Sequence, residues 1–290
     1  MLGFAFSSII GTMGYFMAYG VQLDWASHPN AMRWFQLLSS LCTFLFPALS
    51  FGYICSLNIK DYLFIQSPKN GYGVLVIVLL SMILIIPLIS ITGYLNEQIS
   101  LPSSLSSVEA WMRQQEASAQ QVTQTLLSQT GLFTLLFNIF VIAFLAGITE
   151  EFLFRGALGR IVSRWTTNPH MIIWACAIIF SAFHLQFYGF IPRLLLGAYM
   201  GYLLFWSRSI WLPVFAHIIN NLFAILGMSN QALKDNSYIQ GDLKEVDIAI
   251  YLTVGTIMTV LFFICCSKIK QMLQQKAPKK EDIPSETLLP

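Results

Sequence analysis

Residues 131–151 read GLFTLLFNIFVIAFLAGITEE, an uncharged apolar run that ends on two adjacent glutamates, Glu150 and Glu151. A run of about 20 apolar residues, rising ~1.5 Å each, matches the ~30 Å hydrocarbon layer of a bilayer. It has no polar face, so it differs from the amphipathic helix of a soluble core. The same reading extends outward in both directions. Leu2–Leu23, Trp34–Leu57, Val74–Tyr94, Ile210–Met228 and Ile248–Cys266 also lack charge, while Met171–His184 and Leu194–Trp206 are less tidy, with polar or charged residues near their ends. Composition agrees: 56% of residues are hydrophobic and only 10% charged, against roughly 25% charged in soluble domains. The expectation is an all-α membrane protein with about eight transmembrane helices.

Basic residues orient the chain. If loops alternate between two sides, one side collects Lys60, Lys69, Arg155, Arg160, Arg164, Arg208 and the lysines from Lys268 onward; the other has only Arg33, Arg113, Arg193, Lys234 and Lys244. The positive-inside rule makes the first side cytoplasmic, with both termini there, in a multi-pass protein of a bacterial-type plasma membrane. The first span has no basic flank or clear cleavage site and reads as a retained helix. The 95–130 loop is then external, and a short surface helix through Val108, Trp111 and Met112 is expected in it. The polar tail from Lys268 is expected to be disordered past Lys276. Cys42, Cys55, Cys176, Cys265 and Cys266 fall in apolar spans without CxxC spacing and read as small buried hydrophobes. A net charge of +2 gives no reason to expect nucleic acid. The organisation is residues 1–130, three helices and the external loop; 131–228, four central helices; 229–267, a loop and the last helix; and 268–290, the tail. Pro47 and Pro87 should kink their helices, and Gly197 and Gly201 have the spacing that lets helices approach closely.

Polar groups at membrane depth mark function. Nothing stops the helix of Glu150 before Asn168-Pro169, so both glutamates lie inside the bilayer. On a regular helix Glu151 and Arg155 are about 40° apart and can form an i,i+4 ion pair, whereas Glu150 is about 140° from Arg155. Glu150 is thus left as an unpaired carboxylate, a poised proton acceptor. Counted from the turn at Asn168-Pro169, Glu150 and His184 reach similar depths, about 21–27 Å, with Phe180 one turn from His184. His217 and Asn221 share a face about 12 and 18 Å from the turn at Arg208. No Ser or Cys nucleophile stands beside a His-Asp pair, so water is the expected nucleophile. Glu150, assisted by His184, would deprotonate it, while His217 and Asn221 would donate to the oxyanion of an attacked amide.

These residues resemble the CAAX prenyl protease and bacteriocin-processing family of intramembrane proteases. Glu-Glu-x-x-x-Arg occurs at Glu150, Glu151 and Arg155, Phe-x-x-x-His at Phe180 and His184, and His-x-x-x-Asn at His217 and Asn221. The ordered set spans about Gly131–Met228. The resemblance implies an eight-helix fold around a cytoplasm-facing intramembrane cavity. It implies an endopeptidase cutting near the C-terminus or membrane-proximal part of a peptide or lipidated protein, with Glu150 as base, His184 assisting, and His217 and Asn221 as oxyanion donors. Glu151, Arg155 and Phe180 would support the site. No cofactor is favoured; zinc held by Glu150, His184 and His217 is the alternative, and it would make the protein a metalloprotease. A non-proteolytic scaffold, an immunity protein or a proton-coupled transporter are readings of another class.

Overall fold

The computed structural model describes residues 28–68, 71–127, 131–229 and 248–274. The expected first span Leu2–Leu23, Lys69, Lys234, Lys244 and the tail beyond Gln274 lie outside the described residues. Everything regular within them is helical. Six helices are long and apolar enough to cross a membrane. They are α1 (Pro29–Cys55), the pair α3 (Gly71–Leu84) and α4 (Ile86–Glu97), α6 (Leu132–Val162), α8 (Phe190–Ser207), α9 (Trp211–Ser229) and α10 (Ile248–Gln274). The shorter apolar helix α7 (Pro169–Phe183) joins α6 to α8. Two further helices, α2 (Ile59–Tyr62) and α5 (Ser106–Leu127), are polar.

Local chemistry sets the breaks. Asn168 caps α7 by accepting from the His170 N–H, and Pro169 takes the first helical position, where its missing donor is harmless. Pro87 cannot donate to the helix before it, so the third span divides into α3 and α4 at Ile85. Pro47 opens the last segment of α1 after a π-helical turn over Leu41–Leu45.

The interior of the bundle is built on α8 and α9, with α3 and α10 on one flank and α6 and α7 on the other. Val78, Met82, Tyr199, Met200, Leu203, Leu212 and Phe262 form the larger core cluster. Lipid is as apolar as these side chains, so close packing holds the helices together. Gly201 shows this: a Cβ there would come within 2.8 Å of Ile173 Cγ2, so only glycine allows α8 to lie this close to α7. The outward face of α10, including Ile250, Val254, Ile257, Leu261 and Ile264, is exposed, as a lipid-facing surface would be.

Two expectations change. The helix of the 95–130 segment is longer than expected, at 22 residues, and docks on the protein. Its end is held from below: Arg33 Nη2 and Asn138 Nδ2 donate to the Leu126 carbonyl at 2.7 and 2.8 Å, and Arg33 Nε donates to Asn138 Oδ1 at 2.8 Å. Trp111 packs on Phe187 at 5.3 Å. Polar neighbours on α1 and α6 thus draw the helix onto the bundle, where its weak amphipathicity alone indicated a membrane surface. The second change concerns cysteine. Cys42 and Cys176 are buried, but Cys265 and Cys266 are half-buried and Cys55 is exposed at the end of α1.

Candidate active site

The long helix α6 is not a regular α-helix. Its α-helical segment Ala146–Glu151 lies between π-helical segments Ile139–Leu145 and Phe152–Leu158. Such widened turns leave carbonyls imperfectly paired and recur at functional sites. Here the Ile142 carbonyl accepts from Asn221 Nδ2 at 3.0 Å, which ties the widened turn of α6 to α9. Gly147 permits the approach, because a Cβ there would lie 3.0 Å from the Ile218 side chain.

The second π segment carries Arg155 back to Glu151. Arg155 Nη1 lies 2.8 Å from Glu151 Oε1, with side-chain exposures of 2% and 0%. Arg155 Nη2 also donates to the Gly197 carbonyl at 2.9 Å, and its guanidinium sits 4.5 Å from the Phe180 ring centre. Gly197 leaves the space for this, since a Cβ would meet Phe180, Ala177 and Arg155 at 3.2–3.3 Å.

His217 stands between the two glutamates. Its Nδ1 is 2.8 Å from Glu151 Oε1, and its Nε2 is 3.7 Å from Glu150 Oε2. A carboxylate only accepts, so Nδ1 carries the proton facing Glu151. A proton on Nε2 as well would make both ring nitrogens donors. Glu151 is therefore occupied by Arg155 and His217 together. Glu150 keeps 13% side-chain exposure against 0% for Glu151, and the Oε2 atoms of both are buried without a hydrogen-bond partner. A buried acceptor in that condition calls for a functional explanation.

His184 lies at the C-terminal cap of α7. Its Nδ1 is 2.9 Å from the Phe180 carbonyl, which can only accept, so Nδ1 is protonated, and in the neutral imidazole Nε2 keeps its lone pair. The buried Phe180 ring touches both histidines, with centroid separations of 5.0 Å to His184 and 5.8 Å to His217. The residues singled out in sequence thus gather around Phe180 and the middle of α6. Asn220 turns to its neighbour, donating to Asn221 Oδ1 at 3.3 Å.

Arg193 is a neighbour that the motifs did not mark. It donates to the Gln186 carbonyl and side chain at 3.3 and 3.0 Å, and its charge acts on both Glu150 and His184. An arginine one turn inside an apolar span was the available signal.

A zinc site needs three donors about 2.0–2.2 Å from one point. His217 Nε2 and Glu150 Oε2 come near each other, but no three His, Cys, Asp or Glu side chains among the described residues are grouped to hold a metal ion. Glu150, His184 and His217, as placed here, do not fit zinc.

Residues 132–223 match the family model described as type II CAAX prenyl endopeptidase Rce1-like. The match covers about a third of the chain and includes every residue of the three motifs. No curated protein and no solved structure matches. Helices α6 to α9 are thus the part of this integral membrane protein that is similar to CAAX-type endopeptidases.

Proposed function

We propose that this domain hydrolyses a peptide bond near the C-terminus of a membrane-attached, lipidated protein or peptide, with Glu150 as general base. One observation carries the assignment between the twin glutamates: Glu151 Oε1 is held by both Arg155 and His217 and its side chain has 0% exposure, while Glu150 keeps 13% exposure and comes no nearer than 3.7 Å to His217. A water held by Glu150 and the His184 Nε2 lone pair gives its proton to Glu150 and attacks the scissile carbonyl carbon. The resulting oxyanion accepts hydrogen bonds from His217 Nε2–H and from the Asn221 N–H not engaged with Ile142. Glu150 then returns the proton to the leaving amine nitrogen as the carbon–nitrogen bond breaks. Glu151 and Arg155 position His217 and touch no reacting atom. Phe180 keeps the two imidazoles apart and excludes water.

The test compares purified wild type with Glu150→Gln on a prenylated C-terminal peptide and its unlipidated twin, with products read by mass spectrometry. Glu150→Gln keeps the shape and removes the proton acceptor, so cleavage is expected to vanish while thermal stability holds. Retained cleavage in Glu150→Gln would falsify the assignment.

A further inference from the structure

At the end of the bundle that carries Lys60 and Arg164, a cavity of about 160 Å³ opens between α6, α7 and α8. Its walls are apolar, with Ile172 and Ile173 from α7 and Leu204 and Phe205 from α8. Arg160, Arg208 and the Ser163 hydroxyl line it as well. Arg155 also contributes, but its charge is matched by Glu151. No acidic side chain is among the lining residues.

The other two cations make no ion pair among the described residues. Arg160 donates through Nε to the Tyr62 carbonyl at 2.9 Å and through Nη2 to the Asp61 carbonyl at 2.8 Å, and it stacks 4.0 Å from the Phe64 ring centre. The Asp61 carboxylate turns instead to Asn58 Nδ2. Arg208 sits over Phe205 at 5.8 Å and makes no ion pair among the described residues. Arg160 and Arg208 both line the cavity and repel each other, a repulsion that the nearby Asp61 charge offsets in part and that an anion between them would relieve further.

Arg208 also occupies a costly position. It ends α8 with a left-handed backbone, φ 54°, where glycine or asparagine is the ordinary choice. Gln66 Nε2 fixes that turn by donating to the Arg208 carbonyl at 2.6 Å. The backbone is thus held where the exposed Arg208 side chain lines the cavity.

We propose that this cavity binds the phosphate headgroup of an anionic phospholipid. The phosphate lies between Arg160 and Arg208, and the acyl chains run along Ile172 and Phe205. Guanidinium pairs recognise phosphate oxygens through charge-assisted hydrogen bonds. The apolar walls favour a lipid over a free phosphate. The proposal is independent of the peptidase reading.

The test uses the full chain in neutral detergent, titrated with short-chain phosphatidylglycerol, phosphatidylcholine or inorganic phosphate, and followed by thermal unfolding and native mass spectrometry. Phosphatidylglycerol should bind and raise the melting temperature, with little effect from the other two. Arg160→Gln and Arg208→Gly should each weaken binding about fivefold and together about 25-fold, as expected for ~1 kcal/mol per basic residue at a membrane surface. Arg208→Gly relieves the left-handed backbone, so it should fold at least as well as wild type without lipid even if Arg160→Gln folds poorly. Arg164→Gln, beside the cavity but not lining it, should bind as wild type does. Equal stabilisation by phosphatidylcholine or by inorganic phosphate, unchanged lipid affinity in Arg208→Gly, or an equal loss in Arg164→Gln would overturn the proposal.

Discussion

Removing the Arg155 charge should destabilise the protein far more than removing the Arg155 and Glu151 charges together. Arg155→Met keeps most of the side-chain volume but leaves Glu151, at 0% exposure, with His217 as its remaining partner and takes a donor from the Gly197 carbonyl. Breaking a buried ion pair from one side costs about 3–5 kcal/mol. On the scaling of soluble domains, that corresponds to roughly 6–20 °C in melting temperature. Adding Glu151→Gln removes the stranded charge but retains an amide oxygen as an acceptor for His217 Nδ1. The double variant should therefore recover at least ~2 kcal/mol of the loss, because a buried pair replaced as a unit is often near neutral. The assay is thermal unfolding of wild type, both single variants and the double variant in one detergent. Additive losses would refute the claim that Arg155 acts by neutralising Glu151. Normal stability in Arg155→Met with lost activity would instead point to a substrate-binding arginine.

Other outcomes follow from the same geometry. Asn221→Ala should lower kcat on the order of a hundredfold with little change in KM, as loss of an oxyanion donor does, and should also destabilise by about 1–3 kcal/mol through the orphaned Ile142 carbonyl; an unchanged kcat would remove Asn221 from the reaction. Gly201→Val should cost about 1–3 kcal/mol or more by overpacking against Ile173, seen as a lower melting temperature, and a neutral result would contradict the packing of α7 on α8. Chelators should leave cleavage intact, with no stoichiometric zinc by elemental analysis in wild type or His217→Ala. One tightly bound zinc per chain, lost in the His184→Ala or His217→Ala variants, would replace the glutamate mechanism with a metal-dependent one.

Membrane crossing, helical class and the order of the three motifs were legible in the sequence because they depend on local quantities. Hydropathy over about 20 residues sets a span whatever surrounds it. Glu151 and Arg155 pair within one helix, so their meeting needed only the spacing i,i+4, and a π-helical turn did not prevent it. The cap at Asn168-Pro169 was equally local.

What remained hidden depends on how helices far apart in the chain pack. The sequence set His217 and Asn221 on one face of α9, but the depth to which α9 slides along α6 decides that Nδ1 meets Glu151 and Nε2 faces Glu150. The π segments of α6 were invisible because a widened turn is stabilised by a partner such as Asn221, not by its own residues. Helix α5 read as a short surface segment because its anchors, Arg33 and Asn138, lie on two other helices. Arg160 and Arg208 counted only as loop charges on one side, and their facing positions across one cavity arise from the approach of α8 to α7 that Gly197 and Gly201 permit. In a bilayer, apolarity specifies which segments enter but not which faces meet, since lipid and protein are equally apolar; close packing and buried polar partners make that choice.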